Sequence, residues 1–219
     1  MAFEMITNFD IFFPISNPYI FFPVAYLISF SGVLIPGPMT AVSIAKGYEE
    51  KSAGLKIAAG HGIIEVPLIL LIYFGFARFF KTPGSPLLSL ISFFGGLMLI
   101  YMGTVMFRLR KTIVEKGRDM PVSSLGAGII TTGGNPSFFI WWATLGALLV
   151  FNAAIFGPIG LLLFIIVHES ADLLWYGLLA FGTHKSKHLM TPRFHELLFA
   201  FLAMLLAAFG AWFMASALA

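Results

Sequence analysis

No cysteine occurs in the 219 residues, which removes disulfides, thiolate metal sites and any dithiol relay from consideration. Charge is almost as scarce: Asp, Glu, Lys and Arg together make up 11% of the chain, against roughly 25% in soluble domains. Alternation of apolar and polar residues, the mark of a membrane-barrel strand, is missing, and that class is set aside. The stretch Met1–Tyr19, with Glu4, Asp10, Pro14 and Pro18, lacks the basic start and small-residue cleavage site of a signal peptide and reads as an interfacial lead-in. What is present is apolar. The chain is 59% hydrophobic with 25 Phe and a mean hydropathy of +0.94, so water is not its main solvent.

A bilayer core about 30 Å thick takes roughly 20 apolar residues per helical crossing. The hydropathy divides into six such blocks, at about residues 20 to 45, 54 to 79, 86 to 107, 124 to 151, 157 to 182 and 195 to 217. Lipid offers the backbone no hydrogen bonds, so the blocks are expected to be helices. The expected fold is therefore an all-α membrane protein of six transmembrane helices in one domain spanning residues 1–219. The net charge of +3 and pI near 9.2 belong to topology and not to nucleic acid, because the basic residues sit in the joints and form no face. Lys46, Lys51 and Lys56 lie in the first joint, Arg108, Arg110, Lys111, Lys116 and Arg118 in the third, and Lys185, Lys187 and Arg193 in the fifth. These are all but Arg78 and Lys81 of the 13 Lys and Arg residues. The positive-inside rule then makes the odd joints cytoplasmic and puts both termini outside.

Two segments interrupt themselves. The first contains Pro36-Gly37-Pro38 and the fourth Gly133-Gly134-Asn135-Pro136. A proline has no N–H and clashes with the carbonyl four residues back, so Gly32 and Leu34 lose their acceptor roles and a continuous helix is not expected. Broken helices at matched places in two halves point to a transporter site near mid-membrane. Three helices per half also require the halves to run in opposite senses. The expectation is a 3+3 inverted repeat with broken helices 1 and 4: residues 1–107, a cytoplasmic linker over 108–122, and residues 123–219. A second correspondence is His61 four residues before Glu65 in the second span and His168 four before Asp172 in the fifth. At 3.6 residues per turn each pair shares a helix face, and ionisable groups at that depth should face protein or a wet cavity. Gly95, Gly96, Gly103, Gly177 and Gly182 are expected at close helix contacts.

Together these residues resemble the lysine-exporter (LysE/RhtB) family of amino-acid efflux proteins. The matching pieces are Pro36-Gly37-Pro38, the glycines Gly54 and Gly60 at the start of span two, Asn135-Pro136, and Asp172 with Trp175-Tyr176. Ser137 departs from the pattern, where the family usually has Lys, and the His61/Glu65 pair lies outside it. The resemblance implies an exporter of small amino acids, not an enzyme, driven by the proton gradient. It would be a multi-pass homo-oligomer of the cytoplasmic (inner) cell membrane, without a cofactor.

On this reading Pro36, Gly37, Pro38, Glu65, Asn135, Pro136, Asp172, Trp175 and Tyr176 bind substrate. N–H groups freed after Pro38 and Pro136 receive its carboxylate, and Glu65 or Asp172 pairs with its ammonium. His61, Glu65, His168 and Asp172 carry the coupled proton, imidazole titrating near neutrality. Trp141, Trp142, Trp175 and Tyr176 wall the side-chain pocket. Two rivals use the same residues. A divalent-cation exporter would hold metal with His61, Glu65, His168 and Asp172. An intramembrane zinc protease would use His168-Glu169-Ser170-Ala171-Asp172, a near miss to H-E-x-x-H.

Overall fold

The computed structural model describes residues 17–34, 37–75, 86–116, 121–189 and 191–218. Over them the protein is all-helical, with no strand among the described residues. The helices are α1 (Pro18–Val33), α2 (Pro38–Glu49), α3 (Ala53–Tyr73), α4 (Pro86–Lys116), α5 (Ser124–Gly133), α6 (Pro136–Trp141), α7 (Ala147–Ile155), α8 (Gly157–Ser186) and α9 (Pro192–Leu218). α3, α8 and α9 are long and apolar enough to cross a membrane, and shorter apolar stretches run over Pro18–Phe30 and Phe93–Arg108. Large apolar side chains such as Leu27, Ile63, Phe94, Ile159, Leu178 and Phe201 lie on the outside, a surface suited to lipid and not to water.

The first break falls where the prolines demand it. α1 ends at Val33, the chain passes Gly37 in an extended conformation, and α2 restarts with Pro38 in its first turn, the one helical turn where a missing N–H costs nothing. The second lies between α5 and α6, where Asn135 is extended and its side chain accepts the Ser137 N–H at 3.0 Å. A further irregularity follows that the sequence did not announce: Trp142–Gly146 form a π-turn between α6 and α7, a distortion that re-aims side chains and recurs at functional sites. α4 runs through Arg108 and Lys111 to Lys116, so the segment expected to be linker from 108 onward begins as helix. α7 turns into α8 through Gly157, whose φ of +73° is open to glycine at no steric cost.

Packing depends on small residues. A Cβ at Gly54 would meet the Tyr176 carbonyl, which sets α3 against α8. Gly60 faces Leu125 and Gly128 faces Ile57, which sets α3 against α5. Gly95 meets Gly134, and along the α4–α9 contact Gly96 meets Gly210 and Gly103 meets Ala203. Without a hydrophobic force between helices in lipid, such close backbone approach supplies much of the attraction. Gly95, Gly96 and Gly103 thus sit where close contact was expected. Gly177 meets only the flexible Leu55 side chain, and Gly182 faces open space. At one end of the bundle, Lys187 Nζ, just past the end of α8, donates to the Tyr48 carbonyl of α2 at 2.6 Å, and Arg110 and Lys111 of α4 lie 3.5 and 3.6 Å from Glu196 Oε1 of α9.

Candidate functional site

α3 and α8 cross beside the two breaks and bring four ionisable side chains into one buried cluster. On α3, His61 Nε2 lies 2.8 Å from Glu65 Oε1, one helical turn away. The α8 pair does not close on itself. His168 Nε2 lies 3.4 Å from Glu65 Oε2, and Asp172 Oδ1 lies 3.6 Å from His61 Nε2, so each α8 group reaches across to α3. All four are buried, Glu65 only 2% exposed and Asp172 3%.

The other ring nitrogens are held by hydroxyls of the broken segments. His168 Nδ1 lies 2.7 Å from Ser29 Oγ on α1, and His61 Nδ1 lies 2.8 Å from Thr132 Oγ1 on α5. The indole of Trp142, at the π-turn, donates to Glu65 Oε1 at 3.0 Å. Glu65 Oε2 and Asp172 Oδ2 are buried with no hydrogen-bond partner, which costs free energy unless a ligand supplies a donor or positive charge.

These groups form the floor of a cavity of about 330 Å³, at the low end of the roughly 300–1,000 Å³ of small-molecule sites. Gly37 and Pro38 at the start of α2 line it, as do His61, Glu65, Asn135, His168, Asp172 and Tyr176. Met39 and Thr40 line it too; they stand in the first turn of α2, whose N–H groups have no partner within the helix and favour negative charge.

A family model described as LysE type translocator matches residues 30–217. The chain belongs to the LysE type translocator family. It is a multi-pass membrane transport protein of a family of transporters and not of enzymes. Among curated proteins and among solved structures, no match to the chain is found.

Within this LysE type translocator, the residues read from sequence are placed as follows. Trp141 and Trp142 line the cavity with Tyr176. Trp175 does not, and its Nε1 is buried without a hydrogen-bond partner. Pro136 is buried at the start of α6 and off the cavity wall. The Ser137 N–H that the break at Pro136 was expected to offer a carboxylate is already taken by Asn135. Pro36 lies outside the described residues, as do Arg78, Lys81 and Arg118. Glu169, in the near-protease motif, does not line the cavity; its carboxylate lies against α3 where a Cβ at Gly62 would stand 2.9 Å from Oε2.

Sequence reasoning did not single out Ser29, Thr132 or the α9 aromatics Phe209, Trp212 and Phe213, which close one side of the cavity. Hydroxyl residues inside apolar spans beside a break were the signal for the first two. The α9 run is apolar all round, and nothing in it marks the inward face. The cluster can also supply metal ligands, since one donor atom each from His61, Glu65 and Asp172 lies within 4.8 Å of the others.

Proposed function

We propose that this translocator exports an amino acid, or a closely related small polar solute, in exchange for protons. The observation that carries the reading is the pairing, in one cavity, of a helix start that favours a carboxylate with two buried carboxylates, Glu65 and Asp172, each with one oxygen that has no hydrogen-bond partner. The first-turn N–H groups of Met39 and Thr40 receive the substrate carboxylate, and Asp172 Oδ2 and Glu65 Oε2 receive its ammonium. At roughly 30 Å³ per water, 330 Å³ holds about eleven, room for one amino acid but not a folded peptide. Trp141, Tyr176 and the α9 aromatics enclose its side chain.

A carboxylate that holds a proton cannot also pair with an ammonium, so substrate and proton exclude one another at Glu65 and Asp172. His61 and His168, both in contact with Glu65, pass the proton on.

The surrounding architecture on this reading is six crossings in a 3+3 inverted repeat, with both termini outside the inner cell membrane and copies of the chain associating as a homo-oligomer. Exchange of the halves supports the repeat. It carries the α3–α5 contact onto α8–α1 and the α2–α8 contact onto α7–α3, and it leaves α3–α8 and α4–α9 in place. It also exchanges Thr132 on His61 for Ser29 on His168.

The test is counterflow of labelled amino acids into proteoliposomes, with Asp172→Asn as comparison. The reading expects at least one amino acid to move through the wild type and its movement to fall at least tenfold in the variant. Equal movement in both overturns the role of Asp172, and movement of none overturns the choice of cargo.

A further inference from the structure

The hydroxyl contacts decide more than the position of the imidazoles. A serine hydroxyl has one proton, and that of Ser29 is donated to the Ala25 carbonyl at 2.7 Å. Toward His168 Nδ1, also 2.7 Å away, Ser29 Oγ can therefore only accept. The ring then carries a hydrogen on Nδ1 and turns Nε2 toward Glu65 Oε2, 3.4 Å away, the nitrogen that is a lone pair whenever the ring is neutral. On the other half, Thr132 Oγ1 lies 2.8 Å from His61 Nδ1 and 3.4 Å from Met39 Sδ, and His61 Nε2 points at Glu65 Oε1 and Asp172 Oδ1. Two imidazoles and two carboxylates thus face one another in a buried space, and His61, Glu65 and Asp172 each turn a potential metal-donor atom to within 4.8 Å of the others.

We propose that His61, Glu65 and Asp172, with His168 beside them, form a binding site for a divalent transition-metal cation. Two carboxylates balance the charge of such an ion, and mixed imidazole and carboxylate donors without sulfur select Zn²⁺- or Co²⁺-like ions over Mg²⁺ and Ca²⁺. Bonds of about 2.0–2.1 Å at a tetrahedral centre put neighbouring donors roughly 3.3 Å apart. The 3.6 Å from His61 to Asp172 and the 3.4 Å from His168 to Glu65 are near that edge, and the 2.8 Å from His61 to Glu65 needs about half an ångström of opening.

The outer contacts also suit a metal. Each imidazole has its far ring nitrogen held by a hydroxyl, Ser29 on His168 and Thr132 on His61, and Glu65 is itself hydrogen-bonded by Trp142, the support that orients ligands in metal sites. Glu65 Oε2 and Asp172 Oδ2, both without hydrogen-bond partners, are the atoms left to complete the shell. The ion takes the carboxylate oxygens that the exporter reading gives to the ammonium, so ion and amino acid exclude one another there; the site itself is argued from its donors alone.

The experiment is a Co²⁺ titration of the tag-free, chelator-stripped full chain in detergent, read by the visible absorption of four-coordinate Co²⁺. Expected are one Co²⁺ per chain, displacement by Zn²⁺ but not by Mg²⁺, loss of the band in His61→Gln, and affinity weakened about 10- to 100-fold in Thr132→Val and in Ser29→Ala. No saturable band in the wild type overturns the proposal. So does an affinity within threefold of wild type in His61→Gln, or, should that variant fail to fold, in both hydroxyl variants. Amino-acid counterflow on the same preparations separates the two readings: transport without a Co²⁺ band refutes the metal site alone, and a band without transport refutes the exporter reading alone.

Discussion

Replacing Glu65 by Gln and by Leu separates the charge of this residue from its place in the fold. Glu65 Oε1 accepts from Trp142 at 3.0 Å, and Oε2 lies 3.4 Å from His168 Nε2. In Glu65→Gln the amide oxygen still accepts from Trp142 and the amide nitrogen can donate to His168. The loss is then the difference between a charged and a neutral acceptor at Trp142 and at His61 Nε2, which lies 2.8 Å from Oε1, about 1 kcal/mol for each. In Glu65→Leu the indole N–H, buried with Trp142 at 1% exposure, has no acceptor, which costs about 1–3 kcal/mol by itself before the shape mismatch is counted. At about 2–4 °C per kcal/mol for a chain of this size, Gln should melt about 4–8 °C below wild type and Leu clearly below Gln. Both should lose accumulation driven by a pH gradient in proteoliposomes. Melting followed by tryptophan fluorescence in detergent, with uptake measured on the same preparations, checks the pair. A Glu65→Gln protein that still concentrates substrate against a pH gradient refutes the exchange of proton and ammonium at this carboxylate.

Other substitutions test separate steps. Gly54→Val places a side chain against the Tyr176 carbonyl and should cost about 1–3 kcal/mol through overpacking, whereas Gly182→Ala, with nothing within 4 Å, should be neutral or stabilising by about 0.5–1 kcal/mol; thermal melts compare the two. Asn135→Ala removes the acceptor of the Ser137 N–H and should cost about 1 kcal/mol, with Asn135→Asp restoring most of it. Trp141→Ala enlarges the cavity and should shift preference toward bulkier amino acids by roughly 10- to 200-fold in relative rate, as counterflow with competing labelled amino acids would show.

The two breaks were legible because proline chemistry is local: a missing N–H and a ring clash act within one turn, whatever surrounds them. The cluster was legible as residue types at helical spacing, but not in its pairing. The expected His168/Asp172 pair mirrors His61/Glu65, yet Asp is one methylene shorter than Glu and does not reach back a full turn. Asp172 instead approaches His61, and His168 approaches Glu65. Trp175 and Tyr176 were expected to wall the pocket together. Successive helical residues stand about 100° apart, so one helix face does not hold both, and Tyr176 is the one that lines the cavity. The π-turn at Trp142–Gly146 and the inward aromatics of α9 follow from packing between segments far apart in the chain, which no local pattern records.

The most direct measurement is proton movement coupled to substrate. Proteoliposomes holding a pH-sensitive dye, with no pH gradient imposed, are given an outward gradient of the amino acid that the counterflow panel identifies. Exchange of cargo for protons predicts that the lumen acidifies as the amino acid leaves, and that the signal is absent with Asp172→Asn. Amino-acid efflux with no change in lumenal pH would contradict proton exchange and leave a uniporter in its place.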